Sequence, residues 1–261
     1  MVVQGRKTER KTMKNIWFNG MALLAMAIMV GITGCSDAPQ SKTLALSAPS
    51  IATPADTVGV FVVIDGSGSM AENVTNSQGQ QEQKWEIAKR AMVSVGNRLD
   101  TYLQTASGRK IALGVVLFKD AVVSLDSLTV MTSSNSVTSF LQDAVTHFGT
   151  PAGGTPIGDA ITFSAKHLLS LPIKSKHIMI ITDGDNTVGP SPESVWVDIR
   201  NQFAVSGCPL GLHFVAFDVA ASKFNSIKQM GATVVGASNE NELKSKLDSV
   251  LKDKILLERE D

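Results

Sequence analysis

One short segment of the chain carries a carboxylate and two hydroxyls at every second position. Asp65, Ser67 and Ser69 alternate with glycines and directly follow the apolar run 58–64. Glycine lets the backbone turn sharply, so the three side chains can bring their oxygens close together. Clusters of oxygen ligands bind hard divalent cations such as Mg²⁺. The segment therefore predicts a cation site, although either serine alone could equally cap a local turn.

Two later segments supply oxygens of the same kind. Thr155 lies in the glycine-containing stretch 153–160, just ahead of a predicted helix, and Asp183 ends an apolar strand. For Asp183 alone, capping of the following segment is the simpler explanation. Asp159 and Asp185 are nearby carboxylates, and we interpret them as solvated groups outside the ligand set. The site hypothesis rests on the three segments together.

In chain order the three segments read D-x-S-x-S, T-P-x-G-x-A and T-D-G. This order resembles the von Willebrand factor type A (VWA) domain and its metal-ion-dependent adhesion site (MIDAS), over roughly residues 57–255. The resemblance implies that Ser67 and Ser69 bind the cation directly, and that Thr155 binds it directly or through water. It also implies that Asp65 and Asp183 hold bound waters and orient the serines.

The resemblance further implies the ion and the partner. Mg²⁺ is the expected cation, with Mn²⁺ or Ca²⁺ as alternatives. An Asp or Glu of a protein partner would complete the ligand shell. The chain is thus expected to be a binding protein and not an enzyme.

The elements that must position these residues alternate along the chain. Apolar strands are predicted at 58–64, 111–118, 121–125, 178–182, 210–219 and 233–235. Amphipathic helices are predicted at 85–102, 136–148, 157–171, 194–205 and 222–230, with a closing helix capped by Asn239 that runs through Ile255. Such alternation predicts a doubly wound α/β domain. By the resemblance, its mostly parallel sheet has one antiparallel edge strand. Helices are expected on both faces, and ligands bind such sheets where the strands end.

The N-terminus has the features of a secretion signal. Residues 1–34 are basic at first and then apolar over 21–32, a run too short to span a membrane comfortably. The segment Ile32-Thr33-Gly34-Cys35 resembles a bacterial lipobox, which implies cleavage before Cys35 and acylation of that residue. An uncleaved signal anchor is the alternative. Met13 is an alternative start.

The residues after Cys35 predict a tethered domain. Residues 36–56 are rich in Ser, Ala and Pro, and as a flexible coil they would span roughly 25 Å. The VWA domain is expected over 57–255, with a frayed tail at 256–261. The predicted location is the cell envelope, lipid-anchored to a membrane. Ser36 favours the outer membrane if the source is Gram-negative.

Charge and composition narrow the function classes. Without residues 1–34 the chain has 24 − 5 = 19 basic and 24 − 1 = 23 acidic side chains, a net charge of −4. This mildly acidic balance argues against nucleic acid as the partner. No ligand spacing connects the four histidines, which are His147, His167, His177 and His213.

Two alternative functions remain open at this stage. A Mg²⁺-dependent phosphoesterase could use Asp65 as its nucleophile, but it would want a second carboxylate where Ser67 stands. The domain could also hold only a structural cation, without capturing a partner.

Overall fold

The computed structural model describes residues 57–105 and 107–256. The predicted signal peptide, Cys35, the tether and residues 257–261 lie outside the described residues, so those assignments stay predictions. Within the described ranges, no helix is both long enough and apolar enough to cross a membrane.

Eight strands and six α-helices make up the described part of the chain. The strands are β1 Thr57–Asp65, β2 Asn73–Thr75, β3 Gln81–Gln83, β4 Lys110–Lys119, β5 Ala121–Met131, β6 Ser175–Thr182, β7 Leu210–Phe217 and β8 Thr233–Ala237. The helices are α1 Lys84–Thr105, α2 Val137–Thr146, α3 Ile157–Leu169, α4 Pro192–Val205, α5 Asn225–Gln229 and α6 Glu240–Val250. Short 3-10 turns at Gly68–Ala71 and Ala221–Phe224 and a π-helical turn at Leu251–Leu256 complete the set.

Six strands form one sheet in the order β5-β4-β1-β6-β7-β8. Neighbouring strands are parallel except β5, which runs antiparallel to β4 at the edge. β1 lies between β4 and β6, and its nine residues are all buried, as expected for an inner strand covered on both faces. The strand order reverses between β1 and β6, which makes their carboxyl ends the expected ligand-binding edge. The predicted fold class is confirmed.

The core consists of two layers, one on each face of the sheet. Alternate residues of β1 separate into these layers: Val62 packs with α1, α2 and α6, and Phe61 packs with α3, α4 and α5. On α1, Trp85, Met92 and Leu99 recur at helical spacing on the buried side. Helices therefore cover both faces of the sheet.

Some boundaries differ from those predicted. β5 continues to Met131 instead of ending at residue 125, and it pairs with β4 through an irregular register. The polar segment 71–84, predicted as a loop, contains the hairpin of β2 and β3. The π-helical turn carries the fold one residue past the expected domain end at 255, because Leu256 is buried against the core.

Two of the four histidines meet inside the sheet. His177 of β6 and His213 of β7 are both buried, and the Nδ1 of His177 lies 3.1 Å from the Nε2 of His213. Ser175 Oγ is 3.0 Å from the Nε2 of His177. Burial and, to a smaller extent, the neighbouring His213 lower the pKa of His177 to about 3. Burial, together with the charge of Lys254, lowers the pKa of His213 to about 4. Both rings are therefore neutral in the folded protein at pH 7.

We expect this pair to make stability fall as the pH falls. The unfolded histidines take up protons near pH 6.5, whereas the folded ones do not until about pH 4, so the unfolded state is favoured progressively between those values. The loss is about 2 kcal/mol per histidine between pH 7 and pH 5. Urea unfolding at several pH values, in EDTA, measures it. Asp65, whose pKa is raised to about 6, acts in the opposite sense over the same range.

A variant isolates the histidine contribution. In the double variant His177→Gln/His213→Gln, unfolding free energy still depends on pH through Asp65 and other groups. Subtracting this dependence from that of the wild type leaves the contribution of the histidine pair. Equal slopes of unfolding free energy against pH in the two proteins would contradict the assignment.

Candidate metal centre

Three loops meet at the carboxyl end of the sheet, between β1 and β6. The loop after β1 is bonded to the threonine loop, because the Gly68 N–H donates to the Gly153 carbonyl at 3.0 Å. The threonine loop is in turn bonded to the loop after β6, since the Thr187 N–H donates to the Thr155 carbonyl at 3.0 Å. Backbone hydrogen bonds therefore hold together three segments that lie far apart in sequence.

The predicted ligands on two of these loops form a continuous chain of side chains. Ser67 Oγ lies 3.2 Å from Ser69 Oγ, and Ser69 Oγ donates to Asp183 Oδ1 at 2.7 Å. Ser67 and Asp183 are buried, whereas Ser69 is partly exposed. The oxygens thus cluster just below the surface, and Ser69 is the most exposed of the three residues.

Asp65 lies beneath this chain and is fully buried. Its Oδ1 accepts from the Ser67 N–H at 2.8 Å, and its Oδ2 accepts from Thr182 Oγ1 at 2.6 Å. Burial raises the pKa of Asp65 to about 6, although the hydrogen bonds from Ser67 and Thr182 oppose that rise. A positive charge nearby would favour the ionised carboxylate. Asp65 shapes the turn that carries both serines.

Thr155 is buried, and hydrogen bonds of its loop fix its position. Its N–H donates to Thr187 Oγ1 at 2.8 Å. The loop is fixed from its other side by Asp120, whose Oδ1 accepts from the Gly154 N–H at 2.7 Å. Asp120 adopts a left-handed φ of 52° in the β4–β5 turn, a conformation that Asp tolerates better than most residues. Such strain is often found beside functional sites.

The other two carboxylates near the site have different surroundings. Asp185 is exposed and pairs with Lys223 at 2.9 Å. Asp159 lies in the first turn of α3 and is partly exposed. Neither joins the hydrogen-bonded chain of Ser67, Ser69 and Asp183 in the contacts described.

A buried lysine beside Asp183 was not singled out from the sequence. Lys84 Nζ donates to Asp183 Oδ2 at 3.1 Å and to Glu72 Oε2 at 2.9 Å, and it lies 3.1 Å from Asp218 Oδ2. Burial lowers the pKa of Lys84, but the hydrogen bonds to Glu72 and Asp183 outweigh it and hold the pKa above its ordinary value. The side chain is therefore an ammonium ion at neutral pH.

The residues at this edge fit a hard divalent cation. The donor set consists of hydroxyl and carboxylate oxygens, which suit Mg²⁺, Mn²⁺ and Ca²⁺ better than softer metals. In the described residues, at this edge of the sheet as elsewhere, no group of three or more His, Cys, Asp or Glu side chains has an arrangement that could hold a metal. A cation site here would thus depend on the serine and threonine hydroxyls as much as on the carboxylates.

Comparison with protein families agrees with this architecture. The model of the von Willebrand factor type A domain matches residues 60–248, which includes all three loops. No curated protein sequence matches the chain significantly.

Several solved structures share the fold at low sequence identity. The PilB minor pilin from Streptococcus sanguinis superposes with a TM-score of 0.59 at 16% identity, over 77% of this chain and 61% of the pilin. The pilus adhesin SpaC from Lactobacillus rhamnosus GG gives 0.57 at 13% identity, over 77% of this chain and 31% of the adhesin. Proximal thread matrix protein 1 from the mussel byssus, in a form with a zinc-occupied MIDAS motif, gives 0.55 at 17% identity, over 75% and 47% of the two chains. This chain is thus similar to about three fifths of the pilin and smaller parts of the other two.

Proposed function

The chain belongs to the von Willebrand factor type A domain family, and on that premise we propose that it is a membrane-anchored, non-enzymatic protein that binds a protein partner through a divalent cation. Mg²⁺ is the proposed ion. The partner is proposed to supply an Asp or Glu side chain, and the anchor is the acylated Cys35.

The observation that carries this proposal is the chain of oxygens at the reversal of strand order. The hydroxyls of Ser67 and Ser69 lie 3.2 Å apart, and Ser69 is hydrogen-bonded to Asp183, which directly follows β6, the strand that pairs with β1. For each residue alone a local capping role is sufficient. Local capping does not explain why these residues lie together at the ligand-binding edge of a doubly wound sheet. Cation binding does explain it.

Each residue has a distinct part in the proposed site. Ser67 and Ser69 offer neutral hydroxyl ligands, and Thr155 offers a third from the adjacent loop. Asp65 and Asp183 hold the serines in position and carry the negative charge. When bound, a divalent cation supplies a Lewis-acidic centre that can accept a carboxylate. Few charged ligands leave that centre electrophilic enough for an acidic side chain of a partner.

The geometry of Asp65 argues against the phosphoesterase alternative. Both of its carboxylate oxygens are engaged, one by the Ser67 N–H and one by Thr182, and the side chain is fully buried. A nucleophile must reach its substrate, so the burial of Asp65 supports the proposal of a non-enzymatic role. Activity on phosphoesters that disappears in Asp65→Asn would nevertheless favour the alternative.

Cation-dependent capture tests the binding function. The full-length protein should retain a partner from native membranes in Mg²⁺ and release it in EDTA. Ser67→Ala should reduce capture at least tenfold, because it removes a ligand from the site. Ser133→Ala, an exposed serine far along the chain, is the matched control and should behave as the wild type. Capture that is equal with and without EDTA would contradict the proposal, whereas a cation that only raises the melting temperature would indicate a structural ion.

The proposed anchor has a separate test. Cys35→Ala should move the protein from the detergent phase to the aqueous phase in a detergent partition, because the acyl chains supply the membrane affinity. Continued partitioning into detergent would contradict lipidation at Cys35 and favour an uncleaved signal anchor.

A further inference from the structure

Lys84 places a positive charge against the candidate cation site. Its side chain is 5% exposed, and its ammonium group contacts carboxylates from three different segments. Asp183 follows β6, Asp218 follows β7, and Glu72 precedes the β2–β3 hairpin. The ammonium group therefore lies between these three segments and beside Asp183, whose other oxygen accepts from Ser69.

The position of Lys84 in its helix is unfavourable for a cation. It is the first residue of α1, where the helix dipole presents partial positive charge and disfavours Lys and Arg. A buried ammonium group also costs free energy unless it is paired. The three carboxylates compensate both costs. These contacts therefore explain why a lysine is tolerated at this position, which helix formation alone does not explain.

Asp183 divides its two oxygens between the serines and the lysine. Oδ1 accepts from Ser69, and Oδ2 accepts from Lys84. The carboxylate that the site shares with the serines is therefore already paired with a positive charge. Glu72 and Asp218 have side chains that are 68% and 38% exposed, so solvent screens them more than it screens Asp183.

We propose that Lys84 is a built-in counter-cation that lowers the affinity of the site for a divalent cation and so keeps a bound ion receptive to an acidic partner. This inference rests on the proposed function. The ammonium group repels a second cation held by Ser67, Ser69 and Asp183. It also stabilises the carboxylates when no divalent ion is bound, so the folded domain does not depend on the ion.

Neutralising Lys84 tests the proposal directly. Lys84→Met should bind Mn²⁺ roughly tenfold more tightly than the wild type in calorimetric titrations, because it removes one positive charge a few ångströms from the site. Lys84→Arg keeps the charge and should stay within about threefold of the wild type. Lys166→Met removes an exposed lysine on α3 and is the control for net charge; its affinity should match that of the wild type.

Thermal unfolding gives a second readout. In EDTA, Lys84→Met should melt below the wild type because Asp183 loses its buried partner. Addition of Mn²⁺ should raise its melting temperature by more than it raises that of the wild type. If the variant is unfolded in EDTA, Mn²⁺ should restore its circular dichroism spectrum, and failure to do so would overturn the proposal.

The outcomes separate this inference from the proposed function. Absence of Mn²⁺ binding in the wild type and in both Lys84 variants would contradict the cation site itself. Binding by the wild type with unchanged affinity in Lys84→Met would overturn only the role of Lys84. Weaker binding in Lys84→Met would also overturn it, because Lys84 would then act by positioning Asp183.

Discussion

Asp183→Ala is expected to reduce divalent-cation affinity about 100-fold or more and to destabilise the metal-free fold. The substitution removes the acceptor of Ser69, so the second serine loses its orientation toward Ser67. It also removes the most buried partner of the Lys84 ammonium group, which leaves that charge to Glu72 and Asp218. Loss of one partner of a buried ion pair costs several kcal/mol; because two carboxylates remain, we expect about 2 kcal/mol. Calorimetry with Mg²⁺ and Mn²⁺ and urea unfolding in EDTA measure the two effects.

Two further variants identify the cause. Asp185→Ala changes a carboxylate two residues along the same loop that is exposed and paired with Lys223, so cation affinity should stay within about twofold of the wild type. Asp183→Asn keeps an acceptor for Ser69 but removes the charge, and its affinity should lie between those of the alanine variant and the wild type. If Asp183→Ala binds the cation as tightly as Asp185→Ala does, Asp183 does not belong to the site.

The candidate site could be located from sequence because its residues occur at element ends. Asp65 ends a strand with no polar interruption, and Asp183 directly follows another. Parallel strands bring their carboxyl ends to one edge, so two such ends are expected to be neighbours once a doubly wound sheet is inferred. Local pattern and fold topology together predict that these strand ends are neighbours, and the assignment of the residues as ligands stays a prediction.

The supporting residues could not be found in the same way. Lys84 lies 99 positions before Asp183, and its residue type at a helix start indicates no contact with that carboxylate. Asp120 occupies the short turn between β4 and the edge strand β5, where Asp is common for local reasons. In both cases the relevant partner is a loop brought close only by the complete sheet. Short-range sequence patterns do not contain that information.

The hairpin within segment 71–84 could not be predicted from the sequence for a related reason. Its strands β2 and β3 have three residues each, and only Val74 among them is buried, so no hydrophobic pattern marks them. The hairpin is held by long-range polar contacts instead. Glu240 of α6 accepts from Ser77 Oγ at 3.0 Å and from Arg90 Nε at 3.1 Å, which connects the hairpin to two helices. Such a network is not visible in composition.

The histidine pair shows the limit of ligand-spacing arguments. His177 and His213 are 36 positions apart, but they lie on neighbouring strands β6 and β7 and contact one another. Their residue spacing predicts nothing, because strand pairing decides which side chains become neighbours. Gly211 makes room for both rings, since a Cβ at that position would lie 2.8 Å from His213 Nε2 and closer still to His177.

Gly158→Ala is expected to lower the free energy of unfolding by about 3 kcal/mol and to weaken cation binding. Gly158 lies in the first turn of α3, two residues after Pro156, in the T-P-x-G-x-A segment that carries Thr155. A Cβ at this position would overlap the carbonyl oxygen of Pro190, which belongs to the backbone and cannot rotate away. The helix start and the loop after β6 must therefore separate. That separation would also break the 3.1 Å hydrogen bond from the Gly158 N–H to Asn186 and displace Thr155.

The direction of the change in unfolding free energy distinguishes steric overlap from helix propensity. Alanine is favoured over glycine in a helix by about 1 kcal/mol, so helix propensity alone predicts a more stable variant. Gly236→Ala is a matched control, because a Cβ there meets Ala221 at 3.4 Å, an ordinary contact, and its effect should stay below about 1 kcal/mol. Urea unfolding in EDTA, followed by Mn²⁺ titration of each variant, separates stability from binding. A stabilised Gly158→Ala variant with wild-type Mn²⁺ affinity would mean that the loops move apart freely, and the rigid convergence of three loops on one site would then be wrong.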